Sequence, residues 1–306
     1  MQIPVEARGV TVSAGFKTLV SSVSFRAHPG EVLAILGPSG AGKSTLFRAL
    51  NGSDAPGAGQ VLYGPDELYT SFDRYRMQIG YVPQDDILHD ALTPFEVLYF
   101  TGRLRLPDAP EERVRALADE VLAQVELSER RDVRVRRLSG GQRKRVNLGV
   151  ELMTSPSVLF LDEPTSGLDP ALEEKMMELF RKLARQGRTV FVTTHVTENL
   201  DMVDRVLLLC AGRLTFVGKP KAALGFFGVE HFSDIYAKLT GMGADHWARQ
   251  FSASGPRDDG PVAVPPPQPR AAPAAARAAN AAPGRPKTAD ELLAELEAEI
   301  EREKRR

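Results

Sequence analysis

The stretch that decides the fold is residues 31–50, "EVLAILGPSGAGKSTLFRAL". An apolar run predicts a buried strand, a glycine-rich loop follows it, and an apolar-periodic segment then predicts a helix. Glycines let successive backbone amides point at an anion bound at the helix N-terminus. The pattern G-x-x-x-x-G-K-S therefore predicts a phosphate loop for a nucleoside triphosphate, with Lys43 reaching the β and γ oxygens and Ser44 ligating Mg²⁺.

Strand-like runs alternate with helix-length segments on both sides of this loop, which predicts an α/β domain with a parallel sheet over residues 1–250. The predicted parallel strands are 32–36, 79–82, 158–161, 189–193 and 206–209. Shorter alternating runs predict an antiparallel layer beside them, at 9–16, 20–27 and 59–64. Residues 87–150 read as a helical subdomain. Its residues at helical spacing are Val114, Leu117, Val121, Leu122 and Val125.

Composition sets limits on the chemistry. The 306 residues are 42% hydrophobic, which is enough for a substantial core. The net charge of -1 gives no overall attraction to nucleic acid or to an anionic membrane. Cys210 is the single cysteine and lies in the run "VLLLC", so we expect it to pack in the core. No run approaches the roughly 20 apolar residues that span a bilayer, and we expect a soluble chain.

The composition changes near the C-terminal end. Residues 252–287 hold nine of the chain's 22 prolines and many alanines, which predicts a disordered linker. Residues 288–306 then predict an amphipathic helix, because Thr288 and Glu291 have capping-box spacing. Leu293, Leu296 and Ile300 follow a/d spacing. A solvated acidic helix and a docking or pairing helix both fit this pattern.

Two further stretches carry charged or polar residues at strand ends. In "SVLFLDEPTSGLD", an apolar strand delivers Asp162 and Glu163 to its carboxyl end, where ligands sit in open α/β sheets. Asp162 suits a magnesium shell and Glu163 suits the orientation or deprotonation of an attacking water. Capping of the next turn by the same acids is the alternative. Gln84 in "IGYVPQDD" and His195 in "VFVTTHV" also follow strand-like runs.

The stretch "LSGGQRKRVNLGVEL", residues 138–152, predicts a helix that begins after Ser139 and exposes the amides of its first turn. It therefore supplies a second anion-binding turn in a chain that already has a phosphate loop. The basic run 143–145 lacks interleaved aromatic residues, so we expect a solvated or nucleotide-facing helix flank and no nucleic-acid partner.

In chain order these motifs are the phosphate loop, Gln84, "LSGGQ", "LFLDEP", "SGLD" and His195. Over residues 5–250 the sequence thus resembles the nucleotide-binding domain of ATP-binding-cassette (ABC) proteins. The resemblance implies a RecA-like P-loop NTPase core, an antiparallel β subdomain and an α-helical signature subdomain. Two segments look most like the G (White-type) exporters. They are "GYVPQDDILHDALTPFEVLYFTGRLRLP" and "LSGGQRKRVNLGVELMTSPSVLFLDEPTSGLD".

The resemblance also implies a role for each motif residue. ATP would be held by the phosphate loop, residues 37–45, which comprises Gly37, Pro38, Ser39, Gly40, Ala41, Gly42, Lys43, Ser44 and Thr45. It would also meet the signature turn, which comprises Ser139, Gly140, Gly141 and Gln142, and the D-loop residue Asp169. Glu163, His195 and Gln84 would be catalytic, and Ser44, Gln84 and Asp162 would hold Mg²⁺. Phe16, in "VSAGFKTLV", would stack on adenine or else pack in the sheet.

What the resemblance implies for function is an ATP-hydrolysing subunit that pairs head to tail with a second copy or a close relative around two ATP molecules. A permease on a separate chain would use this cycle, for export, at the cytoplasmic face of the inner membrane. Residues 85–106, with Phe95, Tyr99 and Phe100, would receive the permease, unless those rings pack in the core. The alternative is a soluble, non-transport ABC ATPase that acts on ribosomes or nucleic acid. Such proteins usually carry two cassettes or a long coiled-coil insertion, which this sequence lacks.

Overall fold

The computed structural model describes residues 2–194 and 199–254. Within these ranges the chain forms a six-stranded sheet, a four-stranded antiparallel sheet and the helices that cover them. His195 falls between the two ranges and lies outside the described residues, as do residues 255–306 with the predicted C-terminal helix and most of the predicted linker.

The central sheet is parallel except at one edge. From edge to edge its strands are β10 (Arg213–Gly218), β9 (Arg205–Cys210), β3 (Val32–Leu36), β8 (Thr189–Thr193), β7 (Val158–Asp162) and β6 (Ile79–Val82). All five predicted parallel strands are present, and each boundary agrees within one residue. Ile35 and Asp162 both pair with Thr193, so the carboxyl ends of β3, β8 and β7 lie side by side. The phosphate loop leaves β3 at this edge.

The predicted antiparallel layer is confirmed as a second sheet, with the strand order β2-β1-β4-β5. Its strands are β1 (Val5–Ala14), β2 (Lys17–Ala27), β4 (Ala58–Tyr63) and β5 (Asp66–Glu67). The register between β1 and β2 shifts after Ala7 and again after Val10, as expected where bulges bend a strand.

The described residues form nine α-helices. They are α1 (Lys43–Leu50), α2 (Phe72–Tyr75), α3 (Pro94–Arg105), α4 (Glu111–Gln124), α5 (Gly140–Leu152), α6 (Pro170–Arg185), α7 (Pro220–Phe227), α8 (Phe232–Met242) and α9 (Ala244–Ala253). Helices α3, α4 and α5 occupy the span between β6 and β7 that the sequence assigns to a helical region. None of the nine, taken over the described residues, is both long enough and apolar enough to cross a bilayer.

The core beneath the phosphate loop is aromatic. The Phe160 ring on β7 stacks on Phe191 of β8 at 4.7 Å and meets the edge of Phe47 on α1 at 5.4 Å. All three side chains are fully buried, and their contacts fix α1 on the sheet. Cys210 is also buried, which confirms its predicted place in the core.

Aromatic packing also holds the last described helix. Trp247 and Phe251 of α9 are buried against rings from β10 and α7. The Trp247 indole donates a hydrogen bond to the Lys238 carbonyl at 3.1 Å, which ties α9 to α8. Helix α9 therefore continues to Ala253, slightly beyond the point where the composition predicts the linker to begin.

We expect Phe160→Ala to lower the free energy of unfolding by about 3–5 kcal/mol, because it leaves a cavity where three rings meet. Urea denaturation followed by circular dichroism measures this change. Phe16→Ala is the matched control, since that ring is fully exposed and its removal opens no cavity. Equal losses in the two variants would contradict this account of the core.

Candidate nucleotide-binding site

The phosphate loop contains two glycines that lie close to the backbone of neighbouring strands, one strand in each sheet. Gly42, the N-cap of α1, has φ +100°, and a Cβ there would lie 2.8 Å from the Leu19 carbonyl oxygen of β2. A Cβ on Gly37 would overlap the Leu209 carbonyl oxygen of β9. The Gly212 amide also donates to the Ala41 carbonyl at 2.9 Å. Residues with side chains do not fit at Gly37 and Gly42 without moving these strands.

Lys43 lies at the mouth of this loop. Its Nζ donates to the carbonyl oxygens of Gly37 at 2.8 Å and Pro38 at 3.3 Å. Burial lowers the pKa of Lys43, and the negative charges of Glu163 and Asp162 act against this shift. The predicted lysine and the two predicted carboxylates therefore share one electrostatic environment.

Room for an anion remains at this mouth. Ser39, Gly40 and Ser44 are exposed, and a Cβ added to Gly40 would meet no atom within 4 Å. Loop amides at the N-terminus of α1 then have space to face a phosphate, which the helix dipole favours there. The geometry fits the predicted binding of a triphosphate.

The two adjacent acids are held by a residue on the neighbouring strand. The fully buried Thr193 hydroxyl donates to Asp162 Oδ1 at 2.5 Å and accepts from the Glu163 amide at 2.8 Å. Glu163 has φ +45°, a strained conformation that this bond helps to hold. The Tyr81 hydroxyl donates to Asp162 Oδ2 at 3.4 Å. The Asp162 carboxylate thus bonds to adjacent strands, and the alternative in which it caps the next turn is wrong.

Gln84 also reaches this group, because its Nε2 donates to Glu163 Oε2 at 3.1 Å. Thr193 and Tyr81 were not predicted. Their positions next to predicted site residues could have indicated them. Thr193 ends the strand that precedes His195, and Tyr81 lies three residues before Gln84. Burial, reinforced by the charge of Asp162, raises the pKa of Tyr81 and keeps the phenol protonated as a donor.

The donor atoms at this edge fit Mg²⁺. Ser44, Asp162 and Gln84 supply oxygen atoms, which this hard cation prefers. No group of three or more His, Cys, Asp or Glu side chains in the described ranges is placed to hold a metal ion. Such a group is not required, because Mg²⁺ in nucleotide sites is held by one or two carboxylates together with phosphate oxygens.

The signature turn opens α5 as the sequence predicts. Ser139 is the N-cap: its Oγ accepts from the Gln142 amide at 3.3 Å, and its own amide donates to Gln142 Oε1 at 3.0 Å. Ser139 and Gly140 are exposed, and a Cβ on Gly140 would meet nothing within 4 Å. The first amides of a helix have no partner within it. This turn therefore has hydrogen-bond donors that the helix itself does not use.

The basic run after this turn is paired within the chain. Arg143 binds Asp90 at 2.7 Å and Arg145 binds Glu126 at 3.0 Å. Lys144 donates to the Gln84 carbonyl at 3.4 Å. These contacts agree with the expectation of a helix flank.

Two other predicted site residues are Phe16 and Asp169. Phe16 lies in the turn between β1 and β2 and is fully exposed, so the alternative in which it packs in the sheet is wrong. Its stacking on adenine stays a prediction. Asp169 is the N-cap of α6, where its Oδ1 accepts from the Leu172 amide at 3.0 Å.

Comparison with known proteins identifies a family. The model of the ABC transporter family matches residues 20–166. The chain is 41% identical to the ABC transporter ATP-binding/permease protein Rv1747 of Mycobacterium tuberculosis, over 86% of the chain and 30% of that protein. It is 37% identical to ABC transporter G family member 14 of Arabidopsis thaliana, over 71% of the chain and 34% of that protein. The chain thus spans about a third of the length of these two relatives.

Two further comparisons cover most of the protein that they match. The chain is 33% identical to the Nod factor export ATP-binding protein I of Rhizobium meliloti, over 83% of the chain and 76% of that protein. Among solved structures, cbiO1 from Clostridium perfringens, part of the ABC transporter complex cbiONQ, superposes with a TM-score of 0.68. That match has 28% identity and covers 78% of this chain and 95% of cbiO1. The expected ABC fold and the resemblance to G-type members are confirmed.

We expect Thr193→Val to reduce kcat for ATP hydrolysis about tenfold, because Asp162 loses a donor and the Glu163 amide loses its acceptor. Thr193→Ser keeps the hydroxyl and should retain activity. Steady-state kinetics and thermal unfolding of the three proteins measure this. If the valine and serine variants hydrolyse ATP equally fast, the hydroxyl does not organise the site.

Proposed function

Because the chain belongs to the ABC transporter family as an ATP-binding and ATP-hydrolysing subunit, we propose that it drives export through a membrane permease by pairing around ATP. The observation that carries this proposal is the exposed signature turn. Its cap is formed within α5, Ser139 and Gly140 are exposed, and the first amides of a helix have no partner within it. A donor set of this kind suits an anion delivered by another molecule.

Each residue at this edge of the sheet then has a role in ATP binding or hydrolysis. Lys43 and the loop amides hold the β- and γ-phosphates. Glu163, oriented by Gln84 and Thr193, positions the attacking water and accepts its proton. Ser44, Asp162 and Gln84 would hold Mg²⁺, which when bound neutralises charge on the phosphate oxygens. By resemblance His195 contacts the γ-phosphate.

Pairing completes the site in this proposal. In a head-to-tail dimer, Ser139 and the amides of Gly140 and Gly141 close over the γ-phosphate held by the partner copy. ATP then forms part of the interface, and its hydrolysis removes the bridge. The cycle works as a switch because the closed and open states differ in their affinity for ATP and ADP.

An exposed apolar patch is the proposed permease contact. We define it as Phe100 and Leu104, which are 47% and 82% exposed. Phe100 and Leu104 are four residues apart on α3 and so share one face of the helix. Phe95, by contrast, is buried, with the Arg131 guanidinium 3.6 Å from its ring centroid, so it belongs to the core. Apolar side chains on an outer helix face are characteristic of protein contacts.

The printed names of the relatives support this partner. They speak of a permease, of Nod factor export and of a transporter complex. We propose that the protein acts at the cytoplasmic face of the membrane, bound there through its permease. The ribosome or nucleic-acid alternative has no such support from the relatives' names, and Arg143 and Arg145 of the basic run form ion pairs within the chain.

We expect Leu104→Asp to abolish stimulation of ATP hydrolysis by the permease while basal hydrolysis stays unchanged. The measurement compares the protein alone with proteoliposomes that contain a permease that co-purifies with this protein. Met242→Asp, at a 55% exposed residue of α8, is the control and should keep the stimulation. Stimulation by ribosomes or DNA in place of the permease would overturn the proposal.

Two inactive variants should complement each other when mixed. Lys43→Ala loses the phosphate contact and Ser139→Arg blocks the signature turn, so each homodimer should be inactive. A mixed dimer contains one site with Lys43 from one chain and Ser139 from the other, and it should recover part of the wild-type hydrolysis. Activity of Ser139→Arg alone at the wild-type rate would show that the turn does not act on a partner's nucleotide.

A further inference from the structure

Glu126 occupies a backbone position that normally belongs to glycine. It follows α4 with φ +58°, and the Leu127 amide donates to the Leu122 carbonyl at 2.8 Å. The Glu126 amide donates to the Ala123 carbonyl at 3.1 Å, which completes a Schellman helix end. A side chain in this left-handed conformation has an energetic cost that glycine avoids. The two backbone hydrogen bonds fix this conformation, and the glutamate side chain makes further contacts from it.

Those contacts join three helices. Glu126 Oε2 accepts from Arg145 of α5 at 3.0 Å, and Oε1 accepts from Lys182 of α6 at 2.6 Å. The hydrogen bond from Lys182 is the largest of the effects that lower the pKa of Glu126, so the carboxylate stays charged. The Arg145 side chain is only 12% exposed, which limits screening on that side. We call this arrangement the Glu126 bridge.

The bridge lies beside the signature turn. A cavity of about 500 Å³ is lined by Glu126 and Arg145 together with Ser139, Gln142, Leu172 and Lys175. The first turn of α5 thus borders open space on this side. On the side that faces α6, the first turn of α5 carries Gly141. A Cβ added to Gly141 would lie 3.5 Å from the Leu172 side chain of α6. Direct packing does not fill this side of the first turn, so the ion pairs of Glu126 are the contacts that connect α5 with α6 beside it.

We propose that Glu126 is a positioning residue for the signature turn. By linking Arg145 of α5 to Lys182 of α6, the bridge sets the angle of α5 against the helix that covers the central sheet. Ser139 lies at the N-terminus of the same α5, so this angle determines where its donors point. The inference rests on the proposed role of the signature turn.

The strained backbone allows a test in which stability and activity move separately. Glu126→Gly removes both ion pairs but suits the left-handed conformation, so Tm should be unchanged or higher. The value of kcat should nevertheless fall about threefold, the effect expected for a partly exposed bridge. KM for ATP should change little, because Lys43 is intact. A purely structural role would lower Tm and kcat together.

A double-mutant cycle shows whether the bridge acts as a unit. Glu126→Gln and Lys182→Gln should each lower kcat, and the double variant should be no slower than Glu126→Gln. Glu120→Gln is the control, because it breaks a pair with Arg113 within α4 alone, and its kcat should match the wild type. Steady-state kinetics of the full chain at several salt concentrations supply the values.

Two results overturn the inference: a wild-type kcat in both Glu126 variants, or additive losses in the cycle. Failure of the proposed function looks different. In that case Ser139→Arg itself hydrolyses ATP at the wild-type rate, whatever happens at Glu126. An inactive Ser139→Arg together with a fully active Glu126→Gly rejects only the bridge.

Discussion

The close approach of the phosphate loop to the carbonyl oxygens of Leu19 and Leu209 is the constraint on which the rest of the structure depends. One of these oxygens belongs to the antiparallel sheet and the other to the central sheet, so the loop lies at the junction of both. The turn after β9 strengthens this junction, because Gly212 donates to Ala41 and accepts from the Ser21 amide at 2.8 Å. Position and shape of the loop are thus set by backbone on two sides, which leaves its outer face for the ligand.

Much of this arrangement could be predicted from the sequence, because the deciding signals are local. Buried strands appear as short apolar runs, and the start of α5 appears as Ser139 with Gln142 at capping-box spacing. Thr193, Tyr81 and Glu126 could not be found in this way. Their partners are 31, 81 and 56 residues away along the chain. No periodicity or spacing records such contacts, which exist only once the strands and helices are assembled.

Phe16 shows a different limit of sequence analysis. An aromatic residue in an alternating strand pattern suits both a buried face and a ligand platform. Which one applies depends on where the strand ends, and β1 ends at Ala14, two residues before this ring. Exposure of Phe16 follows from a turn boundary, and boundaries are the least reliable part of such predictions.

The capping box at Ser139 has a consequence for which side chains can serve there. Its oxygen already accepts the Gln142 amide, and the hydroxyl proton stays available to a second partner, so one group can accept and donate at the same time. Aspartate caps a helix equally well but would bring a negative charge against the phosphate that we propose binds here, and glycine has no side-chain oxygen to accept the amide. An ordinary helix N-cap tolerates several residue types. Here the side-chain oxygen must both accept an amide and donate a proton, so only a small hydroxyl side chain fits.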